Sequence, residues 1–178
     1  MIRMYLISVY FDENTNKTIQ NLINRVAKAS GNTYMIDNKV PPHMTITAIQ
    51  AKEPEKLITC FESLKGNIIS GKINIVSPGQ LLPYVMYIAP VLNEYLDKIS
   101  KEIASVTENV SGVKLSKYYR PYSWLPHITI GKTLSHDEMI KAFQIMYQYF
   151  VPFEASVTEF GLARTNPHED IVRFDLLS

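Results

Sequence analysis

Pro42-His43-Met44-Thr45-Ile46 is matched 84 residues later by Pro126-His127-Ile128-Thr129-Ile130. Each segment is a His-x-Thr-apolar tetrad behind a proline, and together they use two of the chain's four histidines. The apolar and β-branched residues around each histidine predict an extended strand. Side chains two apart in a strand share a face. His43 and Thr45 therefore point one way, and Met44 and Ile46 point the other way, toward a core. His127 with Thr129, against Ile128 with Ile130, repeats the arrangement. An imidazole beside a hydroxyl suits an active-site wall, because the ring moves protons near neutral pH and the hydroxyl can donate to an anion. Two such walls at equivalent places predict two similar half-folds that share one cleft.

The rest of the chain reads as that repeat. Residues 2–11 are strand-like, 12–16 a turn, and 17–30 a helix with Ile19, Leu22, Ile23 and Val26 on one stripe, stopped by Gly31-Asn32. The first motif strand covers about 43–50. A helix follows over about 54–65, with Pro54 near its first position and Leu57, Ile58, Phe61 and Leu64 as its apolar face. Strands are expected near 68–77 and 84–90, separated by Ser77-Pro78-Gly79, then a long helix over about 91–109. The second motif strand, 127–132, leads to a helix over 136–149 behind a capping-box signature, Ser135 with Glu138. Strands near 154–163 and 170–177 close the half. The predicted class is α+β: two pseudo-symmetric lobes, each an antiparallel-dominated sheet backed by helices, around a central cleft. Residues 1–178 are expected to form a single domain.

Composition narrows the function classes. Apolar residues at 46% and charged residues at 20% describe an ordinary globular protein. A net charge of +1 gives no broad basic field for non-specific nucleic-acid binding, so any such contact should be local, at one phosphate end. The single cysteine, Cys60, reads as a small core residue on a helix. No apolar run approaches the ~20 residues of a membrane span, and the start of the chain reads as a strand rather than a signal peptide. A cytoplasmic monomer is the expectation, with no membrane partner.

Other readings of the two histidines are structural strand residues or ligands of a metal. A catalytic zinc site generally wants a third protein ligand, and no acidic cluster or H-E-x-x-H lies near either motif. No metal and no cofactor are therefore expected. His136, in the first turn of a helix, and His168, in the turn Asn166-Pro167-His168-Glu169, read as solvated. Tyr118-Tyr119-Arg120-Pro121-Tyr122-Ser123-Trp124 packs four aromatics and an arginine before the second motif. It reads either as a hydrophobic cover or as a stacking platform, with Tyr122 and Trp124 for a base or sugar and Arg120 near a phosphate. Tyr34, before the first motif, is the corresponding candidate on the other side.

The doubled tetrad resembles the two-histidine (2H) phosphoesterase superfamily, whose signature is a pair of H-x-[ST]-x motifs. Its members include bacterial RNA 2′,3′-cyclic phosphodiesterases, also called 2′-5′ RNA ligases, and plant-type cyclic nucleotide phosphodiesterases. The resemblance covers most of the chain. It implies metal-independent opening of a 2′,3′-cyclic phosphate at an RNA end or on a small cyclic nucleotide. His43 would give a proton to the leaving oxygen and His127 would take one from water, while Thr45 and Thr129 donate to the phosphoryl oxygens. With a 5′-hydroxyl in place of water, the same groups imply 2′-5′ ligation. The pseudo-symmetry leaves the acid and base assignment open. Two further readings remain: hydrolysis of ADP-ribose 1″,2″-cyclic phosphate or another small cyclic phosphate, and a weakly catalytic RNA-end binding module.

Overall fold

A computed structural model describes residues 3–165 and 168–178. Residue 2 of the expected first strand, and Asn166 and Pro167 of the expected last turn, lie outside the described residues.

The first half runs β1 (Arg3–Phe11), α1 (Glu13–Ser30), the one-turn α2 (Tyr34–Asp37), β2 (Met44–Ala51), α3 (Pro54–Glu62) and β3 (Gly71–Leu81). The second runs β4 (Val85–Pro90), α4 (Glu94–Thr107), three short strands β5 (Val113–Leu115), β6 (Tyr119–Arg120) and β7 (Ser123–Trp124), then β8 (Ile128–Gly131), α5 (His136–Tyr149) and β9 (Phe153–Arg164). β10 (Glu169–Asp175) ends the sheet. The polar run at 12–16 is a helix start rather than a turn. The Asp12 carboxylate accepts from the Thr15 amide at 3.0 Å and thereby caps the first turn of α1. The capping box before α5 forms as predicted, with Ser135 and Glu138 each bonded to the other's backbone amide.

Ser77-Pro78-Gly79 does not separate two strands. All three residues lie within β3, which turns back into β4 only after Leu81. A bulge between Ile75 and Ser77 admits the proline, which cannot donate to a ladder. Gly79 is there for space. A Cβ at this position would sit 2.4 Å from Cζ of Tyr87, its cross-strand partner, whose ring lies flat on the glycine.

The two lobes exchange strands. β1 pairs with β2 and also with β9 from the second half. β4 pairs with β8 and also with β3 from the first half. β9 pairs with β3 through Phe153–Val157 and with β1 through Val157–Arg164, so it runs through both lobes and joins them. All of these ladders are antiparallel. The helices are exchanged as well: α1 packs on α5, and α4 packs on α3 and on β2. Ile7, Met44, Ile46, Phe61, Met86, Ile128 and Phe160 are almost fully buried in the shared core. Each such side chain contributes roughly 1.5–3 kcal/mol of transfer free energy. Among the described residues, no helix is long and apolar enough to cross a membrane.

Candidate active site

The two motif strands meet at their first residues, where Met44 pairs with Ile128 across antiparallel β2 and β8. One step either way along that register sets His43 opposite Thr129 and Thr45 opposite His127. Met44 and Ile128 are buried at 0% exposure. The four polar side chains, on the opposite face, line a cleft of about 300 Å³.

Each imidazole is held in the same way. Nδ1 of His43 lies 2.8 Å from the Pro41 carbonyl, and Nδ1 of His127 lies 2.8 Å from the Leu125 carbonyl, two residues back in both cases. A carbonyl only accepts, so Nδ1 carries the proton and Nε2 is left for chemistry. Each ring is also backed by a tyrosine from the neighbouring strand. The ring centroids of Tyr10 and His43 are 6.2 Å apart, and those of Tyr87 and His127 are 5.4 Å apart. Both tyrosines lie over a glycine. A Cβ on Gly161 would come within 2.5 Å of Cε2 of Tyr10, as one on Gly79 would meet Tyr87. The Thr45 hydroxyl is 3.4 Å from that of Ser8, its β1 partner.

Burial sets the charge state. Desolvation pulls His43 down to about 4, against the opposing Pro41 hydrogen bond, and His168 and His127 push it the same way. Burial also lowers His127, with the Leu125 carbonyl opposing. No Asp or Glu is among the described residues lining the cleft, and Lys132 is the one Lys or Arg there. Desolvated neutral imidazoles, hydroxyl donors and a lysine make an environment suited to an anion. Among the described residues, no cluster of three or more His, Cys, Asp or Glu could hold a metal ion.

The remaining candidates divide. Tyr34 lines the cleft, its ring 5.4 Å from Nζ of Lys132. From the aromatic segment, Tyr119 lines it instead of Tyr122, Trp124 or Arg120. The segment is a hairpin of β6 and β7 in which Tyr119 pairs with Trp124, and Trp124 packs against the core. Tyr122 sits at the hairpin turn with φ 62, 78% exposed, and Lys101 lies 4.6 Å over its ring. Arg120 is ion-paired with Glu108 at 3.0 Å. Side-chain alternation accounts for Arg120, which faces away from Tyr119, whereas Trp124 shares the face of its partner Tyr119 but is taken up in packing against the core. His168 is the reverse correction. Its turn composition reads as solvated, yet it lines the cleft with its ring 5.5 Å from His43 and its side chain only 12% exposed. No periodicity in the sequence signals this, because the pairing of β10 on β9 brings it there.

The sequence profile of the 2′-5′ RNA ligase superfamily matches residues 15–169. The chain belongs to this superfamily. A relative from Bacillus cereus (strain G9842), named as a phosphoesterase, is 30% identical over 131 residues, 69% of this chain and 68% of that protein. Another so named, from Halalkalibacterium halodurans, is 31% identical over 127 residues, 70% and 69% of the two chains. Among solved structures, Escherichia coli LigT complexed with 3′-AMP superposes with a TM-score of 0.65 at 15% identity over 100% of both chains. The protein TT0787 of Thermus thermophilus gives 0.64 at 16% over 97% of both. These likenesses show the fold. Superfamily membership identifies the chain as an enzyme of the two-histidine phosphoesterase kind, acting on phosphodiester bonds.

Proposed function

We propose that this 2H phosphoesterase opens 2′,3′-cyclic phosphates at RNA ends or on small nucleotides, with His43, His127, Thr45 and Thr129 as its catalytic groups. The observation that carries the reading is the matched pair of imidazoles. Each has Nδ1 tied to a carbonyl two residues back, each stands opposite the other strand's threonine, and no carboxylate is among the described residues that line the cleft. A phosphodiester seated between them has a ring on either side of phosphorus. Water loses a proton to Nε2 of His127 and its oxygen attacks phosphorus. The bond from phosphorus to one ribose oxygen breaks, and that oxygen takes a proton from Nε2 of His43. The Thr45 and Thr129 hydroxyls donate to the non-bridging oxygens, where charge builds up.

His43 is neutral in the empty cleft, so it takes its proton as the anion enters. A negative charge in contact favours imidazolium and so opposes the effect of burial. With a 5′-hydroxyl in place of water as the nucleophile, the same transfers run in the same direction, break the bond from phosphorus to the 3′ oxygen and make a 2′-5′ bond. Tyr34 and Tyr119 line the cleft, and in this reading they stack on a base or sugar.

Phosphorus NMR tests the reaction class. A 2′,3′-cyclic nucleotide incubated with the enzyme in chelator is expected to convert to a monoester resonance, whose coupling identifies the ribose oxygen that keeps the phosphate. Persistence of the cyclic resonance, with conversion of ADP-ribose 1″,2″-cyclic phosphate instead, would move the assignment to that substrate. A Gly161→Ala variant tests the backing of His43. The added methyl displaces the Tyr10 ring, and the His43 ring with it. Turnover is expected to fall by up to about 10²-fold with the far-ultraviolet spectrum unchanged. Wild-type turnover would show that Tyr10 does not position His43.

A further inference from the structure

His168 breaks the pseudo-symmetry of the cleft. The two motif histidines each have one backing tyrosine, whereas His43 alone also has a third imidazole beside it, 5.5 Å away between ring centroids. Nε2 of His168 is 3.1 Å from Oδ1 of Asp170. That carboxylate is itself held. Oδ1 accepts from the Tyr10 hydroxyl at 3.1 Å, and Oδ2 accepts from Nη1 of Arg173 at 3.3 Å. Arg173 lies 3.7 Å over the Tyr10 ring and is bonded to Glu159 at 2.8 Å. The ring of His168 is thus oriented by a carboxylate that Tyr10 and Arg173 also hold, and Nδ1 is the atom left for a ligand. Nδ1 donates when the ring is charged and accepts when it is not.

We infer that His168, oriented by Asp170, binds a second anionic group of the substrate, the phosphate next along a nucleotide chain, and so selects substrates with two phosphates over those with one. This deepens the function proposed above and rests on it for the position of the reacting phosphate. That phosphate lies between the matched rings, so an off-axis imidazole on one side only can contact a flanking group. The pair of His168 and Asp170 gives that contact the strength of a charge-assisted bond.

The test is a binding measurement, independent of turnover. Calorimetry compares adenosine 3′-phosphate with adenosine 3′,5′-bisphosphate on wild type, His168→Ala and His168→Gln. Glutamine keeps a hydrogen bond to Asp170 but cannot take a charge. Wild type is expected to bind the bisphosphate about tenfold more tightly. In both variants the ratio of the two affinities should fall toward one. An unchanged ratio in His168→Gln, or equal affinity for the two ligands in wild type, would overturn the inference and leave the cyclic phosphodiesterase reading standing. Binding of neither nucleotide by wild type would overturn both.

Discussion

Alanine at His43, or at His127, is expected to lower kcat/KM for a 2′,3′-cyclic nucleotide by roughly 10²- to 10⁴-fold, the range that a positioned proton donor or acceptor contributes. The two changes do not add. Each removes half of a coupled proton transfer, so the double variant is expected to be little slower than the slower single variant. The fold survives both, because the rings line the cleft while Met44 and Ile128 beside them carry the packing between β2 and β8. Steady-state kinetics of the three variants, with circular dichroism as the control for folding, checks this. Turnover near wild type in both single variants would remove the two histidines from the chemistry. Full additivity would mean that they act at separate steps.

The motif strands and the cleft they share are legible in the sequence because period-two alternation is local: His43 and Thr45 must share a face whatever the rest of the chain does. Pseudo-symmetry follows from the doubled tetrad. What escapes the sequence is non-local. β9 runs through both lobes, and the register of β2 on β8 sets each histidine opposite the other strand's threonine; both depend on pairings made far apart in the chain. Local signals also mislead where two meanings compete. Ser77-Pro78-Gly79 has the composition of a turn, but here the proline follows a bulge and the glycine makes room for Tyr87. Tyr122 and Trp124 stand out in a dense aromatic run, but the hairpin it forms faces Tyr119 to the cleft and leaves Tyr122 at its turn. His168 gives no signal at all, since its value lies in where β10 begins its pairing on β9 and in a carboxylate two residues on.

Protein stability is expected to fall with acid through the same rings to which the chemistry is assigned by proposal. His43 goes from the ordinary histidine value of about 6.5 in the unfolded chain to about 4 in the fold. Between those values the unfolded chain holds a proton that the folded state does not, so unfolding takes up protons and stability rises with pH. The contribution is complete above the unfolded value, is lost as pH falls toward 4, and amounts to about 3 kcal/mol. His127, lowered by the same cause, adds to the slope in the same direction. Carboxylates titrate nearby, so the informative quantity is the difference between wild type and His43→Ala across pH. Packing lost with the ring is a constant offset, whereas the titration is not. Denaturant unfolding at about pH 7.5 and about pH 4.5 is expected to show the wild-type advantage shrinking, or reversing, by about that amount at the lower pH. Parallel pH curves would mean that His43 keeps its ordinary proton affinity in the fold. It could then be charged before substrate arrives, and proton uptake would no longer need to accompany binding of the anion.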